Sequence, residues 1–254
     1  TPNYTFSSDE AGTITYGGSC SSSTTSATSG NNNINFVSLS DGTYSNCTVK
    51  VTDSAGNISS TLTITSFIVD STASTLVEVT VVTTPTNNST PNYTFSSSEA
   101  GTITYGGSCS SSTTAATTDN NTITLVSLSE GTYSDCTITV TDNVSNSVTL
   151  NISSFVIDTT APTVSSISPT DNQSGISDSD NISVTFSEAM DSSSVTTNTS
   201  NTSCSGSFQL SSDNFSNCLQ MSSSPSSSNS YKTFTVDPSD NLSYSTTYKI
   251  RVTT

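Results

Sequence analysis

The sequence contains no histidine and no tryptophan, and its 254 residues hold four Lys and Arg against 20 Asp and Glu. Without histidine, no Ser-His-Asp or Cys-His relay can be assembled. Asp9 and Glu10 are adjacent, so on a strand or tight loop they point apart rather than across a substrate. Gly17-Gly18 and Gly106-Gly107 lie at strand ends with no helix to follow, so they form no phosphate loop. These absences exclude an enzyme. The scarcity of cations excludes a nucleic-acid binder and leaves no basic patch for anionic lipid. The six cysteines include no Cys-x-x-Cys, and without histidine a zinc site would need distant thiolates. No run approaches the ~20 apolar residues of a membrane helix, so direct membrane insertion of this stretch is excluded.

What the sequence does have is repetition. Residues 11–20 read AGTITYGGSC, and residues 100–109 read the same ten letters. Thr1-Pro2-Asn3-Tyr4-Thr5-Phe6 returns as Thr90-Pro91-Asn92-Tyr93-Thr94-Phe95, and Cys47 returns as Cys136. The period exceeds the roughly 20–50 residues of a solenoid unit and suits a whole small domain. Three units are expected: 1–72, 73–160 and 161–254. Residues 74–89 precede the second TPNYTF and have no counterpart before the first. The first unit is therefore expected to lack its first strand and the third its last, as in a section of a longer chain.

Hydrophobic residues make up 30% of the chain, and roughly two residues in five are Ser or Thr. That composition alone resembles disorder. The two-residue alternation contradicts it. In Cys47-Thr48-Val49-Lys50-Val51-Thr52 and Cys136-Thr137-Ile138-Thr139-Val140-Thr141, apolar side chains occupy every second position, as in half-buried strands. Threonine favours strands, so a Thr-rich outer face is inexpensive and needs no ice-binding role. The second unit gives candidate strands at 75–83, 92–96, 102–105, 122–126, 133–141 and 148–157. The stretch 110–121 leaves room for a short extra strand. Many short strands separated by Gly, Asn, Ser and Asp turns predict an all-β fold of tandem sandwiches in an extended string. Tyr44, Tyr133 and Tyr248 each follow a turn in the manner of a tyrosine corner.

The junction Asp158-Thr159-Thr160-Ala161-Pro162-Thr163 resembles bacterial Ig-like repeat domains of exported surface proteins. So does Val51-Thr52-Asp53-Ser54-Ala55-Gly56-Asn57. The second unit departs from this pattern, because Asp142-Asn143-Val144-Ser145-Asn146 lacks the glycine. The third unit resembles the Ig-like domain of surface-layer proteins and adhesins. It does so through Ser168-Pro169-Thr170-Asp171-Asn172, Val184-Thr185-Phe186-Ser187-Glu188-Ala189-Met190-Asp191 and Thr247-Tyr248-Lys249-Ile250-Arg251-Val252. The resemblance implies immunoglobulin-like sandwiches, an extracellular or cell-surface location, and neighbouring Ig-like domains as partners.

In such a sandwich, Cys20 and Cys47 should meet, and so should Cys109 and Cys136. Each follows or opens one of two neighbouring strands of a sheet. Cys204 and Cys218 remain as a third disulfide pair, and cysteine usage of this kind belongs to an oxidising compartment. The same topology gathers carboxylates at one pole of each unit. The expected ligands are Asp70, Glu99 and Asp142 at the first junction, and Asp158, Glu188 and Asp191 at the second. Oxygen-only donors suit Ca²⁺ better than Mg²⁺ when the geometry is irregular. The Ig-like resemblance also implies junction calcium that stiffens the string. Asn46, Asn57, Asn143, Asn151, Asn181 and Asn241 head Asn-x-Ser/Thr triplets and are the candidate glycosylation sites. The function expected is structural: a stalk, sheath or filament section of an exported surface protein, with self-association into a filament. The alternative is an adhesin module that binds glycan or a neighbouring protein. The absence of tryptophan argues against an aromatic-lined groove.

Overall fold

A computed structural model describes residues 1–253. The fold is all-β, and the described residues contain no helix. They divide into two compact units, Thr1–Thr159 and Thr160–Thr254. The first unit contains both sequence repeats, each with its own buried core. The second unit has a third core.

In the second repeat, one sheet has the order Asp119–Thr124, Asn92–Ser97, Leu76–Thr80. The facing sheet runs Ala115–Ala116, Gly101–Gly106, Thr137–Thr141, Ser147–Asn151. Gly131–Tyr133 pairs separately with Phe155–Ile157. Alternation decides which side chains are interior. Tyr93 and Phe95 face inward from one sheet, and Ile138 and Val140 from the other; all four are fully buried. The outward positions are stitched by threonine hydroxyls across the strands. Thr139 meets Thr149 at 2.7 Å and Thr94 meets Thr122 at 2.8 Å. The first repeat copies this plan, with Asn3–Ser8 paired to Gly30–Asn35 and Gly12–Gly17 paired to Thr48–Thr52. The strand corresponding to Leu76–Thr80 has no counterpart there among the described residues.

Two expected strands are each two strands. The run 133–141 divides because Tyr133 belongs to Gly131–Tyr133, while Thr137–Thr141 lies in the facing sheet. The run 148–157 divides in the same way into Ser147–Asn151 and Phe155–Ile157. The cause is a phase slip. Ile152 and Phe155 are both buried although three positions apart, and a single strand cannot turn such a pair to one face. The chain changes sheets between them, held where Ile152 N–H donates to Cys136 O at 2.9 Å.

The disulfides are Cys20–Cys47, Cys109–Cys136 and Cys204–Cys218, with Cα separations of 5.3, 5.2 and 4.8 Å. The first two sit in the repeat cores. Each closes a loop of 27 residues in sequence separation, which in the chain-entropy model contributes about 3.5 kcal/mol. The tyrosine corners form in both repeats: Tyr44 OH donates to Ser40 O and Tyr133 OH to Ser129 O, each at 2.9 Å. Tyr248 works the other way, its hydroxyl accepting from Ser243 N–H at 2.9 Å.

The second unit has a sheet of order Val164–Ser168, Ile182–Phe186, Thr233–Val236, Ser226–Ser228 and a pair Phe208–Ser211 with Lys249–Val252. Its core includes Val184, Phe208, Leu210 and Phe234. Arg251 lies 4.0 Å over the Phe215 ring and donates from Nε to the buried Gln209 Oε1 at 2.9 Å.

The repeated Gly-Gly has a steric reason. Gly107 has φ +71°, and a Cβ there would lie 2.0 Å from Asp135 O; Gly18 has φ +74° and the same 2.0 Å clash with Asn46 O. Gly107→Ala would impose both a left-handed backbone penalty and an overpacked contact beside the disulfide. We expect it to destabilise the first unit by about 2–4 kcal/mol in chemical denaturation. A loss under about 0.5 kcal/mol would contradict this packing.

Candidate metal centre between the two repeats

Three elements deliver the candidate ligands. Asp70 follows the strand Phe67–Val69 and begins the segment that links the repeats. Glu99 lies in the tight connection from Asn92–Ser97 to Gly101–Gly106. That turn is fixed by Ser97, whose buried hydroxyl donates to Glu99 O at 2.6 Å. Asp142 opens the hairpin between Thr137–Thr141 and Ser147–Asn151. One carboxylate oxygen from each of Asp70, Glu99 and Asp142 lies within 4.8 Å of the others. Among the described residues this is the one group of three or more acidic or thiol side chains so placed.

All three side chains are half-buried. Glu99 Oε2 is buried without a hydrogen-bond partner. Ca²⁺ takes oxygens at about 2.3–2.6 Å, so two of its ligands on opposite sides stand roughly 4.6–5.2 Å apart and adjacent ones closer. The observed spacing fits that sphere. Three carboxylates at this distance repel one another, and the first unit offers little to offset them: Lys50 is the sole basic side chain in residues 1–159.

Asn146 braces the site. Its amide donates to Asp142 Oδ2 at 2.8 Å and to the Asp70 backbone carbonyl at 3.3 Å, which joins linker to hairpin. Asp142 Oδ1 accepts from the N–H groups of Val144 and Asn146, each at 2.9 Å. Burial works to raise the Asp142 pKa, but the bonds from Asn146 and the turn N–H groups outweigh it and hold the carboxyl below its ordinary value. Asp53 builds the same turn in the first repeat with Asn57, and its carboxyl is also held low by that asparagine. Gly56 supplies φ +91° there, and Ser145 takes φ +77° at the matching position of the second repeat. The missing glycine therefore changes the cost of the turn and not its shape. A third such turn runs from Asp213 to Asn217 in the second unit.

The other sequence candidates are distributed as follows. Asp158 follows Phe155–Ile157, and its N–H donates to Thr86 O at 2.9 Å within the first unit. Glu188 and Asp191 belong to the second unit, where Asp191 caps a turn by accepting from Ser193 N–H at 2.9 Å and Ser193 Oγ at 2.8 Å. Asn46, Asn57, Asn143, Asn151, Asn181 and Asn241 are all exposed.

One organising residue escaped the sequence reading. Asp41 precedes Gly42–Tyr44 and accepts from Ser71 N–H at 2.9 Å, Ser71 Oγ at 2.7 Å and Thr72 Oγ1 at 2.5 Å. It anchors the segment that carries Asp70. The signal was the repeated acidic residue before glycine, Asp41-Gly42 and Glu130-Gly131.

Thr72 and Ser71 hold the Asp41 carboxyl below its ordinary value, and Asp142 is held low as described. A carboxyl with a depressed folded-state pKa adds stability that is present above its unfolded pKa and is lost as pH falls through the folded one. Melting temperature is therefore expected to be flat from about pH 6 to 8 and to fall below about pH 4. Asp41→Asn should shrink that fall. A melting temperature that rises on acidification, or an unchanged acid limb in Asp41→Asn, would contradict these assignments.

No curated protein matches the chain. Residues 158–254 match the family model described as bacterial Ig-like domain. Domains of this family are non-catalytic modules that typically occur in surface or exported proteins. The third core and its sheets are consistent with this match, so over residues 158–254 the chain is similar to a bacterial Ig-like domain.

Proposed function

We propose that the chain is a structural section of a long extracellular bacterial surface protein, a stalk, sheath or filament of Ig-like beads stiffened by calcium. The observation that carries this reading is the convergence of Asp70, Glu99 and Asp142 within 4.8 Å, with a buried Glu99 oxygen that has no protein partner. A Ca²⁺ ion there would take oxygens from the linker, from one connection of the second repeat and from its hairpin. Binding would thus freeze the angle between two beads. Within each bead, the disulfides and stacked aromatics already resist opening. The Tyr44–Phe67 and Tyr133–Phe155 rings stack at 5.4 and 5.3 Å. Such an object bears load and sets distance, and needs no reactive group.

The test is thermal unfolding together with small-angle scattering of the intact chain in Ca²⁺ and in EDTA. A site held at 100-fold its dissociation constant adds about 2.7 kcal/mol, which is several degrees for a unit of this size. Ca²⁺ should raise the melting temperature by that amount and narrow the distribution of particle dimensions. Glu99→Gln should lose most of both effects. Identical melting and scattering in Ca²⁺ and EDTA would refute the calcium-stiffened reading.

A further inference from the structure

The three disulfides do not sit in equivalent places. Cys20, Cys47, Cys109 and Cys136 are all buried and belong to the apolar cores of the two repeats. Neither Cys204 nor Cys218 belongs to the apolar core of the second unit. Cys218 is buried, but Cys204 is half-buried and lies in residues 199–206, a stretch without a strand. The loop this pair closes has a sequence separation of 14, against 27 for each of the others, so it restrains the unfolded chain least.

The chain leading to Cys218 covers a polar face. Phe208–Ser211 is the one strand among the described residues in which every residue is buried. Phe208 and Leu210 enter the core of the second unit, so by alternation Gln209 and Ser211 face the other way. Residues 213–217 form a flap on that side. Ser211 Oγ accepts from Phe215 N–H at 2.9 Å and donates to Asn217 O at 2.7 Å. The flap also occupies two of the chain's four basic side chains. Lys249 Nζ donates to Asn214 Oδ1 at 3.0 Å, and Arg251 lies over the Phe215 ring. Residues 199–204 are fastened to the end of the flap by the disulfide and by two hydrogen bonds. Cys218 N–H donates to Thr202 O at 2.8 Å, and Gln220 Nε2 donates to Thr199 O at 3.0 Å.

We infer that Cys204–Cys218 is a reducible latch: a dithiol opens it while the two repeat disulfides stay closed, and its opening loosens residues 199–206 and 213–218 without unfolding the core of the second unit. Thiol–disulfide exchange needs a thiolate to reach a sulfur, so an accessible pair outside a core reacts ahead of pairs that require a core to open. A thiolate of the reductant attacks Cys204 Sγ and forms a mixed disulfide. The protein Sγ–Sγ bond breaks with its electron pair on Cys218, whose thiolate takes a proton. The second thiol of the reductant loses its proton and displaces Cys204, which leaves two protein thiols and an oxidised dithiol. The covalent tie between residues 199–206 and the flap is then gone. Asn214 and Phe215 are free to part from Lys249 and Arg251, which uncovers a basic pair on a strongly acidic chain. This inference does not depend on calcium.

The test exposes the intact oxidised chain to graded dithiothreitol under native conditions, traps free thiols by alkylation and maps them by peptide mass spectrometry. Cys204 and Cys218 should become alkylated at least about 10-fold faster than the cysteines of the repeats. Hydrogen exchange on the partly reduced chain should then be several-fold faster at residues 199–206 and 213–218 and unchanged at residues 182–186 and 233–236. The double variant Cys204→Ser, Cys218→Ser should give the same exchange pattern without reductant. Repeat disulfides that open first or together with Cys204–Cys218 would overturn the inference. So would loss of protection at 182–186 and 233–236 on reduction, or a flap that exchanges as slowly in the reduced chain and the double variant as in the oxidised one.

Discussion

The constraint on which this structure depends is an excess of carboxylates with almost no basic side chains to meet them. Twenty Asp and Glu face four Lys and Arg, so most acidic groups must be satisfied by N–H groups, hydroxyls, amides or ions from solution. The fold is organised around those satisfactions. Asp53, Asp142 and Asp213 each gather the N–H and amide of an asparagine four residues on, which shapes three turns. Asp41 gathers the linker. Glu78 fixes an entire edge strand: burial pushes its pKa up, but the bonds from Ser153 and Tyr93 outweigh that and hold it below its ordinary value. Donors of this sort are numerous because the chain is so rich in Ser and Thr. The donors run short at Glu99, whose Oε2 is buried without a hydrogen-bond partner.

The same composition explains the cross-links. A chain with 30% hydrophobic residues builds small cores, and small cores leave little margin over conformational entropy. One buried disulfide per repeat reduces the entropy of the unfolded chain, and Gly18 and Gly107 let the backbone approach closely beside it. The threonine faces add cross-strand hydroxyl bonds without adding charge. Stability is thus spread over staples, turns and ladders rather than concentrated in a large apolar interior. That distribution is compatible with the structural role proposed above.

Much of this was legible in the sequence. Exact repetition marked the repeats, alternation marked the inward residues Cys136, Ile138 and Val140, and sandwich topology placed Asp70, Glu99 and Asp142 at one pole. The change of sheet between Ile152 and Phe155 was also written there, as a slip in the alternation, but a slip looks like ordinary irregularity until the facing strand is known. The roles of Glu78 and Asp41 were not legible. Each depends on donors that are distant in sequence, Ser153 and Ser71, and only register brings those donors within reach. Asn146 falls between the two cases: its spacing from Asp142 repeats that of Asn57 from Asp53, yet its bond to Asp70 exists only because two repeats meet.

The most direct measurement is a crystal structure of the chain grown with Ca²⁺. The account predicts an ion at the first junction, with oxygens of Asp70, Glu99 and Asp142 about 2.3–2.6 Å from it and an anomalous signal that EDTA removes. Water alone among these oxygens, or a Glu99 side chain turned out to solvent while calcium is present, would contradict it.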